Sequence, residues 1–373
     1  MANFFKRHDR STFEIIGFSI RQPFNSEGEQ RQQQLRAQVD EFYDLVYLQT
    51  EARAREIVNR KIDILVDLVG LVDEADINIF SYKPAPVQIS FLGFPGTTGS
   101  EKMDYYVGDM ISTDPDRFSY FFTEKLLILP HTYQVTEHKE EYGTDWQLNA
   151  SSFEVPELTQ NKYYDENTTF VFCNFNHLHK LDKQTFMTWM DILKTVNNSV
   201  LWLLDGAARS RVLRFANATG VDPERIIFSS SIDKVDHMKR LFSRAHLLLD
   251  TPIYNAHTSA GDAMYAGVPI VTIEGDLMAS RVASSMIKAL GNDELHRQLV
   301  ATNLQDYKDK AIFYATHRNQ LKLIREMILG ARSTAPLFDT ELFVKNLEQG
   351  FLQVFRRFQK GQFPALTYVG IED

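Results

Sequence analysis

Three polar residues at the start of a predicted helix have types that could bind an anion, and a carboxylate one turn further could reach a neighbouring diol. The segment 247–275 reads as a buried strand, a loop, a helix and a second strand. His257, Thr258 and Ser259 open the helix, and Asp262 lies one turn beyond Ser259. Backbone N–H groups and hydroxyls at a helix start attract anions, so a diphosphate would fit there with a neighbouring diol within reach of Asp262. Alternatively, Thr258 only caps the helix and Asp262 adds a favourable charge to its first turn. The residues alone do not decide between these interpretations.

The surrounding elements follow an alternating pattern. Apolar runs typical of strands occupy 13–20, 45–48, 62–69, 87–92, 105–108, 169–172, 200–204, 226–228, 247–249 and 270–273. Helical stretches occupy 31–40, 52–61, 183–196, 234–245 and 258–267. Strands that alternate with helices predict parallel sheets covered on both faces.

A polar stretch at 136–166 divides this pattern and is predicted to be a linker. We therefore predict an N-terminal Rossmann-like lobe at 1–135 and a C-terminal Rossmann-like lobe at 167–335, followed by an amphipathic helix and tail at 336–373. Ligands of such folds bind in the cleft at the carboxyl ends of the parallel strands.

Composition narrows the class of protein. A chain of 373 residues is long for one hydrophobic core, and its net charge of −9 argues against nucleic acid or an anionic membrane as partner. The single cysteine, Cys173, excludes an internal disulfide and a cysteine-rich metal site. No apolar run is long enough to span a bilayer, and the charged start MANFFKRHDR has no signal-peptide core. We expect a cytoplasmic or nucleocytoplasmic protein.

The segment YNAHTSAGDAMYAGVPIVT, at 254–272, resembles the strand–loop–helix signature of the protein O-GlcNAc transferases. Further segments resemble the same family in the same order, at 83–109, 124–133, 172–204 and 225–251. The resemblance implies a B-type glycosyltransferase fold, with two Rossmann-like lobes whose parallel sheets face a cleft. It also implies inverting transfer of N-acetylglucosamine from UDP-GlcNAc to Ser or Thr hydroxyls of acceptor proteins, with no metal ion and no cofactor beyond the donor.

The resemblance places the UDP-sugar site in the second lobe. Lys180 matches the lysine at the donor diphosphate and is the predicted catalytic residue, since its ammonium would stabilise departing UDP. His257, Thr258 and Ser259 match the helix start that holds the diphosphate. The other matching positions contact the base, ribose or donor: His177 (where many members have Gln), Ile232, Lys234, His237, Arg240 and the ribose-binding Asp262.

The first lobe departs from the family pattern. The family's first strand and its motif histidine would lie upstream of Met1, and His8 is expected to be exposed rather than to replace that histidine. Leu71 follows the DLVG strand end, where members usually have His or Tyr. We therefore expect an incomplete first lobe and slow or absent transfer, with a separate N-terminal or tetratricopeptide-repeat segment as a candidate partner. Two alternatives remain: a degenerate UDP-sugar-binding protein, and a GDP-fucose-using transferase of the SPINDLY group.

Overall fold

A computed structural model describes residues 3–23, 25–72, 75–150 and 152–371. The chain divides into two compact units. Unit 1 is formed by Met1–Glu137 and Asp339–Asp373, and unit 2 is formed by His138–Phe338. Each unit contains parallel sheet and helices, as the predicted α/β class requires.

The strands are short and lie in the following positions: β1 Ile16–Ser19, β2 Glu41–Asp44, β3 Ile64–Asp67, β4 Val87–Ser90, β5 Tyr105–Asp109, β6 Lys125–Leu129, β7 Phe170–Asn174, β8 Ser199–Leu204, β9 Ile226–Ser229, β10 Leu247–Leu249, β11 Ile270–Ile273, β12 Val300–Ala301 and β13 Thr367–Tyr368.

The helices are α1 Ser26–Arg36, α2 Thr50–Asn59, α3 Pro115–Phe118, α4 His138–Tyr142, α5 Pro156–Thr159, α6 Lys183–Thr195, α7 Arg209–Ala218, α8 Lys234–Arg244, α9 Thr258–Tyr265, α10 Val282–Lys288, α11 Asp293–Leu299, α12 Leu304–Thr316, α13 Arg318–Ala331 and α14 Thr340–Gln359. Short 3₁₀ helices include Leu178–Lys180 and Asp145–Asn149.

Unit 1 contains a five-stranded parallel sheet in the order β13-β6-β5-β4-β3 and a separate parallel pair, β1 and β2. All residues of β4 and β5 are buried, because the sheet is covered on both faces. Helix α14 lies close against this sheet at Gly350, where a Cβ atom would come within 2.9 Å of Val369 and 3.2 Å of Leu127. The residues after 338 therefore complete unit 1.

A cavity of about 650 Å³ lies inside unit 1. Its lining is mainly apolar and includes residues of β1 and β3, which belong to different sheets. None of the ten predicted donor-site residues lines it.

Two sequence predictions in unit 1 are wrong. The strand predicted at 45–48 lies immediately before these residues, at β2 (Glu41–Asp44). Leu45 follows that strand, is buried, and begins a turn. His8 is buried, with 6% of its surface exposed, and its Nδ1 atom lies 3.0 Å from Oε1 of Glu348. Burial lowers the pKa of His8. Glu348 is 340 residues away along the chain, so no local pattern could indicate this contact.

Unit 2 is built on a six-stranded parallel sheet in the order β12-β11-β10-β7-β8-β9. Its central strands β7, β10 and β11 are fully buried, which explains their continuous apolar sequences. A buried hydrogen-bond chain ties two helices to the sheet: Trp189 Nε1 donates to the Tyr307 hydroxyl at 3.0 Å, and that hydroxyl donates to the Asp250 carbonyl at 2.8 Å.

The stretch predicted as a linker, 136–166, is folded over much of its length. It contains α4, α5 and the 3₁₀ helix Asp145–Asn149, and from His138 onward it is part of unit 2. Trp146 is buried here with its ring 5.7 Å from that of Phe242. Val155 and Leu158 are also buried, so a few apolar side chains spaced among polar neighbours anchor this segment. Such isolated anchors do not produce the periodic pattern of a helix or a strand.

None of the helices within the described ranges is long and apolar enough to cross a membrane.

Candidate functional site

A cavity of about 310 Å³ opens at the carboxyl ends of β7, β8, β9 and β10 in unit 2. All ten residues predicted from the sequence line it: His177, Lys180, Ile232, Lys234, His237, Arg240, His257, Thr258, Ser259 and Asp262. Four further residues line the cavity that were not predicted from the sequence, namely Phe175, Asn176, Leu204 and Ser231. Each follows or ends a strand, so the position of strand ends was the signal that could have identified them.

The start of α9 forms one wall of the cavity. His257 is the N-cap residue, yet no side-chain hydrogen bond caps the helix in the part of the chain that the structure describes, and Thr258 is already helical. The interpretation of Thr258 as the cap is therefore wrong. Asp262 lies beyond the first turn, which contains no acidic residue. The uncapped start leaves the positive end of the helix dipole directed at the cavity.

The loop before α9 takes its shape from the buried Asp250. Its Oδ1 atom accepts hydrogen bonds from the N–H groups of Thr251 (2.8 Å) and Ala256 (2.7 Å). Its Oδ2 atom accepts one from the Thr272 hydroxyl at 2.6 Å. Burial raises the pKa of Asp250 to about 6, against the opposing effect of these donors. The carboxylate fixes the path of the chain from β10 to α9.

A chain of polar side chains joins α9 to the end of β7. The Ser259 hydroxyl donates to Asn176 Oδ1 at 2.6 Å, and Asn176 Nδ2 donates to the Thr251 hydroxyl oxygen at 2.9 Å. These contacts hold the first turn of α9 against the strand end that carries Lys180.

Lys180 ends the 3₁₀ helix that follows β7. Its Nζ atom donates to the Asn255 carbonyl at 2.9 Å and lies 3.9 Å from the centre of the Tyr254 ring. Burial lowers the pKa of Lys180 to about 8, and the charge of Asp250 opposes this shift. His257 lies nearby, and burial together with the Lys180 charge lowers its pKa to about 3. The cavity therefore has a lysine cation beside a neutral histidine.

Asp262 is the centre of a buried charge cluster. Its side chain accepts from Lys234 Nζ at 2.6 Å on Oδ2 and from His138 Nε2 at 2.9 Å on Oδ1. The Nε2 atom of His237 lies 4.0 Å from Oδ2. Burial alone would raise the pKa of Asp262, but the hydrogen bond and charge of His138, together with the charge of Lys234, lower it to about 2. Asp262 is thus an ionised carboxylate with one oxygen turned toward the cavity residues.

His138 was not predicted from the sequence as a site residue. It lies in the polar stretch predicted as a linker, 124 residues before Asp262. A contact over that distance leaves no periodic trace in the sequence.

His237 and Arg240 lie one turn apart on α8. Arg240 Nε donates to His237 Nδ1 at 2.9 Å, and Arg240 NH1 donates to the Ser230 carbonyl at 2.9 Å. The guanidinium lies 4.5 Å from the centre of the Phe175 ring. Burial lowers the pKa of Arg240 to about 10, which leaves it charged at neutral pH.

Two predicted residues lie at the rim of the cavity. Ile232 is 40% exposed in the loop between β9 and α8. His177 is exposed, and its ring stacks on that of His179 with centres 5.6 Å apart.

The sequence of the chain is similar to those of known glycosyltransferases. The profile described as Glycosyl transferase family 41 matches residues 1–146 and 147–347. An Arabidopsis thaliana protein named as a probable UDP-N-acetylglucosamine–peptide N-acetylglucosaminyltransferase, SEC, is 35% identical over 370 residues, covering 98% of this chain and 36% of that protein. A Solanum lycopersicum protein named as a probable UDP-N-acetylglucosamine–peptide N-acetylglucosaminyltransferase, SPINDLY, is 29% identical over 312 residues, covering 82% of this chain and 31% of that protein. The chain spans about a third of the length of these two relatives.

Among solved structures, a mutant of the Thermobaculum terrenum O-GlcNAc transferase superposes with a TM-score of 0.81 at 26% identity. The match covers 96% of this chain and 65% of that one. Together with the two parallel-sheet units, this likeness confirms the B-type glycosyltransferase fold predicted from the sequence.

Proposed function

Since this chain belongs to glycosyl transferase family 41, we propose that it transfers N-acetylglucosamine from UDP-GlcNAc to serine and threonine hydroxyls of acceptor proteins, with inversion at the sugar. One observation carries the proposal. The ten residues predicted to hold a UDP-sugar come from separate segments of the sequence, and all of them line one cavity. That cavity lies at the strand ends where ligands of parallel α/β folds bind.

The diphosphate is assigned to the start of α9 and to Lys180. The uncapped helix start offers N–H groups at Thr258 and Ser259 together with the Thr258 hydroxyl, while the Ser259 hydroxyl donates to Asn176. The Lys180 ammonium lies beside this helix start, because it donates to the Asn255 carbonyl in the preceding loop. When the bond from the sugar to UDP breaks, negative charge develops on the diphosphate. A fixed cation and a helix start stabilise that charge in the transition state more than in the ground state.

The nucleoside is assigned to the side of the cavity formed by α8 and the loop before it. Ile232 offers an apolar rim, and His237 offers a neutral ring, because burial followed by the Arg240 charge lowers its pKa to about 3. Lys234 and Asp262 form the ion pair beside which the ribose hydroxyls would lie.

We propose that the reaction uses no metal ion or further cofactor, because Lys180 and the start of α9 supply positive potential where the leaving group forms. The acceptor is proposed to be a protein hydroxyl. A separate tetratricopeptide-repeat or N-terminal segment is proposed to assist the chain, which is proposed to work in the cytoplasm or the nucleocytoplasm.

Calorimetry and a transfer assay test the proposal in two steps. UDP should bind with a Kd in the micromolar range, about −7 to −8 kcal/mol, and GDP should bind far more weakly. Radiolabelled UDP-GlcNAc should then label an acceptor protein, slowly with this chain by itself and faster when the assisting segment is supplied. Binding of UDP without any labelling would favour the alternative of a sugar-nucleotide-binding protein with little turnover. Preference for GDP over UDP would contradict both the donor and the assignment of the cavity.

A further inference from the structure

His138 is a buried histidine that touches the cavity residues without lining the cavity. It begins α4, and only 6% of its surface is exposed. Its ring packs 5.3 Å from the ring of Tyr265, 5.7 Å from that of Tyr142 and 6.3 Å from that of Phe338, measured between ring centres. The ring is thus fixed by aromatic neighbours on several sides.

Within the described ranges, the ring of His138 makes one hydrogen bond, and that bond is directed at Asp262. Nε2 of His138 lies 2.9 Å from Oδ1 of Asp262. Asp262 is ionised and can only accept, so Nε2 carries the hydrogen and donates it. The other ring nitrogen, Nδ1, is buried and has no partner among the residues that the structure describes. Burying a ring nitrogen without a partner costs free energy. The hydrogen bond to Asp262 is therefore the polar contact that His138 gains at this buried position.

The fold leaves space for the ring at one point on α9. A Cβ atom at Gly261 would lie 2.9 Å from Cε1 of His138 and 3.4 Å from the Met286 methyl group. Only a residue without a side chain lets the imidazole lie against the helix beside Asp262. The pairing of Gly261 with His138 is a second, independent sign that the ring is placed to reach the carboxylate.

We propose that His138 is a positioning residue for nucleotide recognition. By holding Oδ1, it fixes the rotation of the Asp262 carboxylate and directs Oδ2 toward Lys234 and His237, which line the cavity. Oδ2 is then oriented to accept from a ribose hydroxyl. This inference rests on the proposed function, because the ribose belongs to the UDP-sugar assigned to the cavity.

Two substitutions of His138 distinguish positioning from packing. The amide nitrogen of Gln reaches about as far from the backbone as Nε2 of His, whereas that of Asn reaches only as far as Nδ1. His138→Gln should therefore keep the bond to Asp262, and His138→Asn should lose it. His317→Asn, at an exposed histidine between α12 and α13, controls for the exchange itself.

The measurement is the ratio of affinities for UDP and 2′,3′-dideoxy-UDP, by calorimetry on the full chain. The wild type should prefer UDP. His138→Asn should lower UDP affinity about tenfold, or about 1.4 kcal/mol, while affinity for the dideoxy ligand changes little. His138→Gln and His317→Asn should keep the wild-type ratio. A loss of packing alone would lower the melting temperature and leave this ratio unchanged.

A second variant covers the case in which His138→Asn does not fold. Gly261→Ala keeps both His138 and Asp262 but pushes the ring away, so it should also reduce the preference for UDP. An unchanged ratio in the folded variants, or equal binding of both ligands by the wild type, would overturn the positioning role. No UDP binding by the wild type would instead overturn the proposed function.

Discussion

Nε of Arg240 donates a 2.9 Å hydrogen bond to Nδ1 of His237, and this bond decides which ring nitrogen of His237 carries the proton. A guanidinium can only donate, so Nδ1 must accept. Burial, followed by the Arg240 charge, lowers the pKa of His237 to about 3, so the ring is neutral. The hydrogen therefore lies on Nε2, which faces Oδ2 of Asp262 at 4.0 Å.

Replacing Arg240 should remove the hydrogen bond that keeps Nδ1 of His237 unprotonated. In Arg240→Met, the pKa of His237 should rise because a nearby positive charge is removed, and Nδ1 should no longer be held as the acceptor. Nitrogen NMR of the histidine rings would show both changes. Uridine affinity should fall by about tenfold to a hundredfold in Arg240→Met, since a charged hydrogen-bond donor contributes about 1.5–3 kcal/mol. Arg211→Met, on the exposed side of α7, should leave the ring signals and the affinity unchanged.

Lys180→Met should weaken binding of UDP more than binding of uridine. The ammonium is assigned to the diphosphate, and losing a charge-assisted contact costs about 1.5–3 kcal/mol. Lys183→Met, at an exposed position three residues later, tests whether any lost positive charge has the same effect. Calorimetry with both ligands makes the comparison. Equal losses for UDP and uridine in Lys180→Met would show that Lys180 only supports the loop through Asn255 and Tyr254.

UDP affinity should decrease as the pH rises through about 8. Burial lowers the pKa of Lys180 to that value, so above it the free protein has an uncharged amine at the proposed diphosphate site. Binding then requires uptake of a proton, and the Kd for UDP should increase by up to about tenfold per pH unit. His237 and His257 stay neutral over this range, since their pKa values are lowered to about 3. A flat profile for UDP in the wild type would contradict the role of Lys180. Uridine in the wild type, and UDP in Lys180→Met, should show no such change.

Gly267→Ala should destabilise unit 2 more than Gly220→Ala does. Both glycines have positive φ, +72° and +83°, so alanine is strained at either position and costs about 1 kcal/mol. At Gly267 a Cβ atom would also lie 2.4 Å from Cδ2 of Leu329, whereas nothing lies within 4 Å at Gly220. Overpacking adds about 1–3 kcal/mol. Urea unfolding of both variants measures the difference, and equal losses would show that Leu329 moves aside without cost.

The sequence predicted the buried strands of unit 2 best. Strands β10 and β11 have the predicted bounds, 247–249 and 270–273, because a strand buried on both faces is a continuous apolar run between polar or glycine-containing ends. β2 was misplaced because its sequence, EFYD, is half polar and lies in a two-stranded sheet with a single neighbour. The more apolar residues at 45–48 fit the pattern of a buried strand better than β2 does, so the prediction was placed on them.

The cavity was predicted through segments that each contain a recognisable pattern. Lys180, His237 and Thr258 lie in three such segments, and the parallel sheet brings their strand ends together. The residues that hold these groups were not predicted. His138 and Asp250 act through buried hydrogen bonds, and only the three-dimensional structure shows where those bonds go.

The division of the chain has a consequence for the order in which the protein is made. Unit 2 is one uninterrupted segment, His138–Phe338, whereas unit 1 needs α14 and β13, which come after it. A ribosome therefore finishes every residue of unit 2 before it has made the last parts of unit 1. Domains can fold during synthesis as their residues emerge. The nascent chain should thus acquire the candidate site of unit 2 first, while the five-stranded sheet of unit 1 waits for its edge strand β13 and for the helix that covers it.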